Sequence, residues 1–305
     1  MTLQDYLNNV RVLINDTNSA TFTDGTLTNF INQARTRVAM DTHCVRGFLS
    51  VTGGTALNTI GGQENYTYNG TVGGVTVTNG GHNYTNPSVT FTNAVGDSGT
   101  GVAASATVIG GVITAINMTN WGQGYGLAPT VNITDSTGSG ATASATVLAN
   151  VLDIISITTI WGNERIMHGY LPFSMFQTYC RQLTFNESVP AIYTLHQGIQ
   201  QAFLFEIPDQ AYTMEWDILT LPTPLTSAPQ VDTQVIAPWN DAVQLFAAHL
   251  CAASLKNYTA ADYWYTGKPQ QPGKYDSRIK QLPATAFSRR VYNPYRTYMK
   301  RLRRM

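Results

Sequence analysis

The chain has little charge. Only 12% of its 305 residues are Asp, Glu, Lys or Arg, against about a quarter in an ordinary soluble domain. Gly, Thr, Asn and Gln take their place. Such a surface suits a protein that ends up covered by neighbours, and it also suits many secreted β proteins. Cysteine is scarce too. Cys44, Cys180 and Cys251 are odd in number and far apart, with no CxxC pair. That argues against a disulfide framework or a zinc site and predicts reduced, buried thiols. The N-terminus has no basic segment followed by an apolar one, so no signal peptide is expected. No run of about 18 apolar residues exists, so no membrane span is expected either. Assembly in a cytoplasm follows as the default expectation.

The reactive constellations are also missing. His43, His82, His168, His196 and His249 show no metal-ligand spacing. His249 reads as a hydrogen-bonded core or interface residue. No GxSxG elbow marks a nucleophilic serine. Gly122 to Gly126 is glycine-rich but lacks a following GK[ST] and a helix, so it reads as turns rather than a phosphate loop. Glu206, Asp209, Glu215 and Asp217 cluster in sequence. Paired carboxylates can do acid–base work, but alternate polar positions on strands explain them as well. The expectation is no enzyme, no metal and no cofactor.

What is present is a motif written twice. Val77-Thr78-Asn79-Gly80-Gly81 is followed by Tyr84, Pro87 and Val89. Met118-Thr119-Asn120-Trp121-Gly122 is followed by Tyr125, Pro129 and Val131. Each copy closes on a similar run, Gly99 to Val108 and Gly138 to Val147. The offset is 41 at the tyrosines (125 − 84) and 39 at the closing valines (147 − 108). Alternating Val/Thr runs between Asn-Gly, Gly-Gly and Ser-Gly turns predict strands at 75–79, 88–93, 102–108, 112–119, 130–134 and 141–148.

Outside the repeat, Leu3, Tyr6, Leu7, Val10, Leu13 and Ile14 share a helical face, capped by Thr2 with Asp5. A second helix is expected from Asp24 to about Thr42, making an αα-hairpin. Strands are expected at 45–51, 64–68 and 151–157, a short helix at 171–179, and an antiparallel meander at 192–195, 201–207 and 211–219. Pro238 opens a long buried helix through Leu255, and Thr259 to Tyr265 can begin another. Lys268 to Gly273 is expected to end the compact fold. The expected class is α+β, with a helical core, a small antiparallel sheet, an inserted all-β sandwich-like domain and an extended C-terminal arm. The expected domains are 1–70 with 150–272 as core, 71–149 as insert and 273–305 as arm.

Net charge is zero, but nine of the 18 basic residues follow Asp276 and no acid does. The body before that point is therefore −9 and the remainder +9. A charge block of this kind marks an interaction segment. Arg289, Arg290, Tyr292, Tyr295, Arg296, Tyr298, Lys300, Arg301, Arg303 and Arg304 are its candidate contact residues. Tyr and Arg dominate protein interfaces, and the same pair can track and stack on a nucleic acid. In the repeat, Tyr84, Trp121 and Tyr125 are candidate glycan-binding aromatics, or else turn and core residues.

Three segments resemble the head-to-tail adaptor (connector) proteins of tailed bacteriophages: Thr21 to Arg35, Leu204 to Tyr212 with Leu221 to Leu225, and Ile236 to Leu250 with its basic, tyrosine-bearing sequel. The duplicated Asn-Gly-Gly-x-x-Tyr-x-x-Pro unit resembles modules of phage tail and virion proteins. The resemblance implies a structural virion protein at the head–tail junction, assembled in the host cytoplasm. It implies a ring of about twelve copies, docked by its arm on the portal protein and joined below to a tail nozzle or tube. Genomic DNA would pass through the ring without sequence-specific binding. The duplicated module would sit outside the channel and could meet tail fibres or spikes. The alternatives are a carbohydrate-binding β module on a tail component and a nucleic-acid-binding protein acting through the basic segment.

Overall fold

A computed structural model describes residues 1–181, 187–268 and 271–281. The chain is α+β. Its first elements are α1 (Leu3–Ile14), α2 (Asp24–Thr42), β1 (Arg46–Leu49), β2 (Leu57–Asn58) and β3 (Asn65–Thr67). The duplicated segment supplies β4 (Thr71–His82), β5 (Ser88–Thr92), β6 (Thr100–Ile109), β7 (Val112–Gln123), β8 (Thr130–Thr134) and β9 (Ser139–Leu148). Then come β10 (Val151–Trp161), β11 (Glu164–Met167), β12 (Gly169–Tyr170), α3 (Phe173–Tyr179), β13 (Ile192–His196), β14 (Gln201–Phe205) and β15 (Thr213–Thr220). The chain continues through α4 (Asn240–Ser254), α5 (Tyr258–Trp264), β16 (Gly267–Lys268), β17 (Gln271–Pro272) and α6 (Lys274–Gln281).

Two compact units divide the chain. A helical unit takes Met1–Arg46 and the described residues from Thr220 onward; a β unit takes Gly47–Leu219. The boundaries thus fall at 46/47 and 219/220 rather than at 70/71 and 149/150.

In the helical unit the capping pattern at Thr2 closes as a reciprocal pair. Its hydroxyl accepts the Asp5 amide at 3.1 Å, and Asp5 accepts the Thr2 amide at 2.8 Å. The cap of α2 is Thr23, one residue before the expected Asp24, because its hydroxyl accepts the Thr26 amide. Tyr6, Leu7 and Val10 of α1 share one core with Leu27, Ile31, Ala34 and Val38 of α2 and with Val243, Ala247 and Cys251 of α4. Pro238 lies in the turn two residues ahead of α4, not inside its first turn. A buried ion pair ties these parts together. Arg35 donates to both carboxylate oxygens of Asp232, at 2.7 and 2.8 Å, and to the Thr223 carbonyl. Tyr6 Oη donates to Asp232 or to Asn240 Oδ1 at 3.2 and 3.0 Å.

Compact structure does not end at Gly273. In α6 the Tyr275 ring is 1% exposed, packs on Phe246 and Tyr265, and donates its hydroxyl to Asp41 at 2.9 Å. Arg278 pairs with Asp241 at 2.6 Å. The first part of the basic block is therefore an amphipathic helix of the core, and any extended arm begins after Gln281.

All six strands expected in the repeat form. Their pairing crosses between the copies: β4 with β9, β6 with β7 and β5 with β8, all antiparallel. The first strand of each copy thus lies against the last strand of the other. The flanking strands form two further sheets, ordered β1-β15-β10-β11 (with β2 also on β15) and β12-β13-β14-β3. The expected meander holds for its first two strands only, β13 and β14, which pair antiparallel. β14 pairs with β13 and β3, while β15 joins the other sheet. One core runs through repeat and flanks, joining Ile113, Ile116, Met118 and Trp121 to Leu57, Tyr66, Ile157 and Trp216. A shared core of this kind leaves the duplicated segment without a domain boundary of its own.

Candidate interaction surfaces

Arg289, Arg290, Tyr292, Tyr295, Arg296, Tyr298, Lys300, Arg301, Arg303 and Arg304 all lie outside the described residues. The other sequence candidates, Tyr84, Trp121 and Tyr125, are buried at 4%, 4% and 3% exposure. A sugar platform needs an open ring face, so these three are core residues and the carbohydrate reading loses its site.

Their burial follows from the duplication. Tyr84 lies against Gly138 and Tyr125 against Gly99, so closely that a Cβ on either glycine would enter the ring. Each phenol oxygen accepts an amide of the other copy's closing strand, Ala141 to Tyr84 at 3.1 Å and Val102 to Tyr125. Each tyrosine loop is held by the other copy's aspartate. Asp135 accepts the amides of Thr85 and Asn86 at 2.9 and 2.8 Å, and Asp97 accepts that of Gly126 at 3.0 Å. These donors hold the Asp135 carboxyl far below the usual carboxylate range, the Thr137 amide contributing most. Trp121 instead leaves the repeat. Its ring packs on Tyr66 and Trp216, and its Nε1 donates to the Asn58 carbonyl at 3.0 Å.

Several other titratable groups make structural contacts. Glu215 is buried, accepts Arg165 at 3.0 Å and takes the Val51 amide at 3.3 Å. Asp209 accepts the Tyr212 hydroxyl at 2.6 Å. His249 shares a hydrogen bond with the Ala261 carbonyl at 2.9 Å and stacks between Phe246 and Tyr265. His168 Nε2 and the Thr159 hydroxyl lie 2.8 Å apart, and burial pushes this imidazole down to about 3. The cysteines are free, and burial lifts the Cys251 thiol to about 12. Among the described residues no three His, Cys, Asp or Glu side chains are grouped to hold a metal ion. An open groove of about 560 Å³ between α1, the start of α2 and Pro224–Ala228 has Asp24 as its one ionisable lining residue, so it offers no acid–base pair.

Two exposed apolar patches remain, and neither was read from the sequence. The first lies on the sheet β1-β15-β10-β11. Gly47 and Leu49 face the core, which turns Phe48 outward, and it is 63% exposed. Glu215 links the end of β1, through the Val51 amide, to Arg165 on β11. Ile160 lies opposite Arg165, and Met167 is two residues along the same strand face. Val51 and Met167 are each half exposed or more, whereas the exposed Trp161, next to Ile160 in the strand, lies on the opposite face. The second patch is the corner from α4 into α5. Leu255, Tyr258 and Tyr263 are more than half exposed there, and the Lys274 ammonium lies 5.4 Å from the Tyr263 ring centre. Periodicity shows which residues alternate, but not which sheet face another element covers, so these patches gave no sequence signal.

The units also differ in charge. Residues 47–219 hold ten acids and two bases, a net of −8, and both bases are ion-paired. The helical unit, residues 1–46 and 220–281, holds nine bases and eight acids, a net of +1, and the sequence after Gln281 adds seven bases and no acid. The negative charge thus belongs to the β unit and not to a helical body.

Among known protein families and curated proteins, none matches this chain. Among the described residues no helix is long and apolar enough to cross a membrane.

Proposed function

We propose that the chain is a structural head-to-tail adaptor of a tailed bacteriophage virion, acting by binding rather than catalysis. In this reading copies form a ring of about twelve at the head–tail junction. The helical unit is its core, the segment after Gln281 docks on the portal protein, and the β unit offers its surface to tail components. One observation carries the reading. The two segments that resemble adaptors at opposite ends of the chain, Thr21 to Arg35 and Ile236 to Leu250, pack into a single helical core and share the Arg35–Asp232–Tyr6–Asn240 network. Segments distant in sequence that serve one core support a common origin for both. The sequence that follows α6 has seven bases and no acid, the composition of a docking segment.

The test is capture by purified portal rings, read by negative-stain imaging. The full chain is expected to decorate the portal, and a chain stopped after Gln281 is expected to lose binding. Equal decoration by both chains would refute the docking segment. Retention of the full chain by DNA at high salt, with no portal binding, would favour the nucleic-acid reading instead.

A further inference from the structure

We propose that the corner joining β11 to β12 is an acid-released latch, with His168 as its catch. The place of this corner in the fold makes it separable from the rest. β11 is an edge strand of the sheet β1-β15-β10-β11, and β12 is an edge strand of the sheet β12-β13-β14-β3. The chain crosses from one sheet to the other at residue 168. Between Thr159 and Phe176 this histidine is the only buried residue, at 3% exposure. One side chain thus pins a long surface segment to the core. Opening the corner strips β11 from β10 and leaves the backbone of residues 158–161 as an unpaired sheet edge.

The catch holds only while the imidazole is neutral. The His168 amide donates to the Ile157 carbonyl at 2.9 Å, and its Nε2 lies 2.8 Å from the hydroxyl of the fully buried Thr159. Its Nδ1 is buried and has no hydrogen-bond partner among the described residues. A neutral ring carries one N–H, which the Thr159 hydroxyl can accept. An imidazolium carries two and needs two acceptors. A charged donor left unpaired in the interior is costly, and water supplies the second acceptor once the corner opens. The titratable side chains on the strands around it are Asp153 on β10, Glu164 and Arg165 on β11, Tyr170 on β12, and Tyr193 and His196 on β13. None of them moves the imidazole; burial alone lowers it, to about 3. The open corner therefore takes up a proton that the closed one refuses, and acid favours opening.

Hydrogen–deuterium exchange of the full chain between pH 7 and 5 tests the latch, each peptide being corrected for the intrinsic pH dependence of exchange. The open corner binds its proton at the ordinary value of 6.5 and the closed one near 3, so the open fraction should rise about 25-fold over that interval. The rise is expected in peptides covering residues 162–171 and not in those of β4, β9 or α4. His168→Gln and His168→Phe gain no proton, and each should remove the rise. Two replacements of different shape keep the test decisive if one of them fails to fold. A rise spread evenly over the β unit overturns the proposal, because the histidine would then meet solvent only in global unfolding. A corner whose exchange ignores pH overturns it too, and so does a rise that survives in a folded variant.

Discussion

Single side chains matter most in this protein where a polar group is buried. Arg35 and Asp232 are 1% and 0% exposed at their side chains. Burial raises the Asp232 carboxyl, but the Arg35 fork and the amides of Val235 and Gln234 outweigh it, and the group ends below the usual carboxylate range. Its folded value is below its unfolded one. The pair therefore stabilises the fold fully above about pH 4, and the contribution is lost as pH falls through the folded value. Removing one partner leaves a buried charge, so Arg35→Ala should cost about 3–5 kcal/mol in urea unfolding. A cost under about 1 kcal/mol would mean that water reaches Asp232. His168 has the same sign for a different reason. Burial alone lowers it, from 6.5 to about 3. The unfolded chain takes up its proton below pH 6.5 while the folded chain does not, so this stability is whole above 6.5 and fades toward 3. Between pH 7 and 5 the loss is about 2 kcal/mol. The urea midpoint should fall over that interval, and His168→Gln should flatten the slope. Parallel pH profiles for the two chains would disprove this role.

Elements show where the sequence was readable. The six strands of the repeat, the α1–α2 hairpin, α4 and α5 came through because each depends on a local period and local turns. Partnership between strands did not. β14 and β15 were read as neighbours because they are close in sequence, yet β15 carries Met214, Trp216 and Ile218 into the core beneath another sheet. Charge misled at α6, where Arg278 and Lys280 belong to the acid-free run after Asp276 and drew attention from the anchoring Tyr275 just ahead of it. One signal of the shared core was legible. Trp121 stands where the other copy has Gly80 (121 − 41 = 80), and a lone tryptophan breaking a duplication marks the side that meets something else. The two copies should therefore answer alike at their common positions and differently at this one. Gly99→Ala and Gly138→Ala each push a methyl into a buried tyrosine ring, and each should cost about 1–3 kcal/mol, nearly equally. Trp121→Ala empties a site among Tyr66, Trp216 and Leu57 and should cost about 3–5 kcal/mol. Thermal unfolding of the three variants checks this. A strong effect at Gly99 with none at Gly138 would contradict the crossed pairing.

At the scale of the whole molecule, neutrality conceals polarity. The β unit holds ten of the 18 acids, and the 24 residues after Gln281 hold seven of the 18 bases (289, 290, 296, 300, 301, 303 and 304). Seven bases thus lie beyond α6 and the core contacts of Tyr275 lie before its end, so the two can be separated by where the chain is cut. A chain ending at Gln281 keeps Tyr275 on Phe246 and Tyr265 and keeps the Arg278–Asp241 pair. It loses seven positive charges and becomes −7. Its melting temperature should stay near that of the full chain, while any association that depends on opposite charge should weaken and lose its sensitivity to salt. A chain ending at Gly273 removes a fully buried aromatic as well. It exposes the Phe246 and Tyr265 faces and leaves Asp41 without the Tyr275 hydroxyl. The loss should be about 3–5 kcal/mol, the cost of deleting a large buried aromatic side chain. Two cuts eight residues apart should thus have opposite signatures, one in binding with stability kept, the other in stability itself. Equal melting temperatures for the two truncated chains would show that α6 contributes nothing to the core.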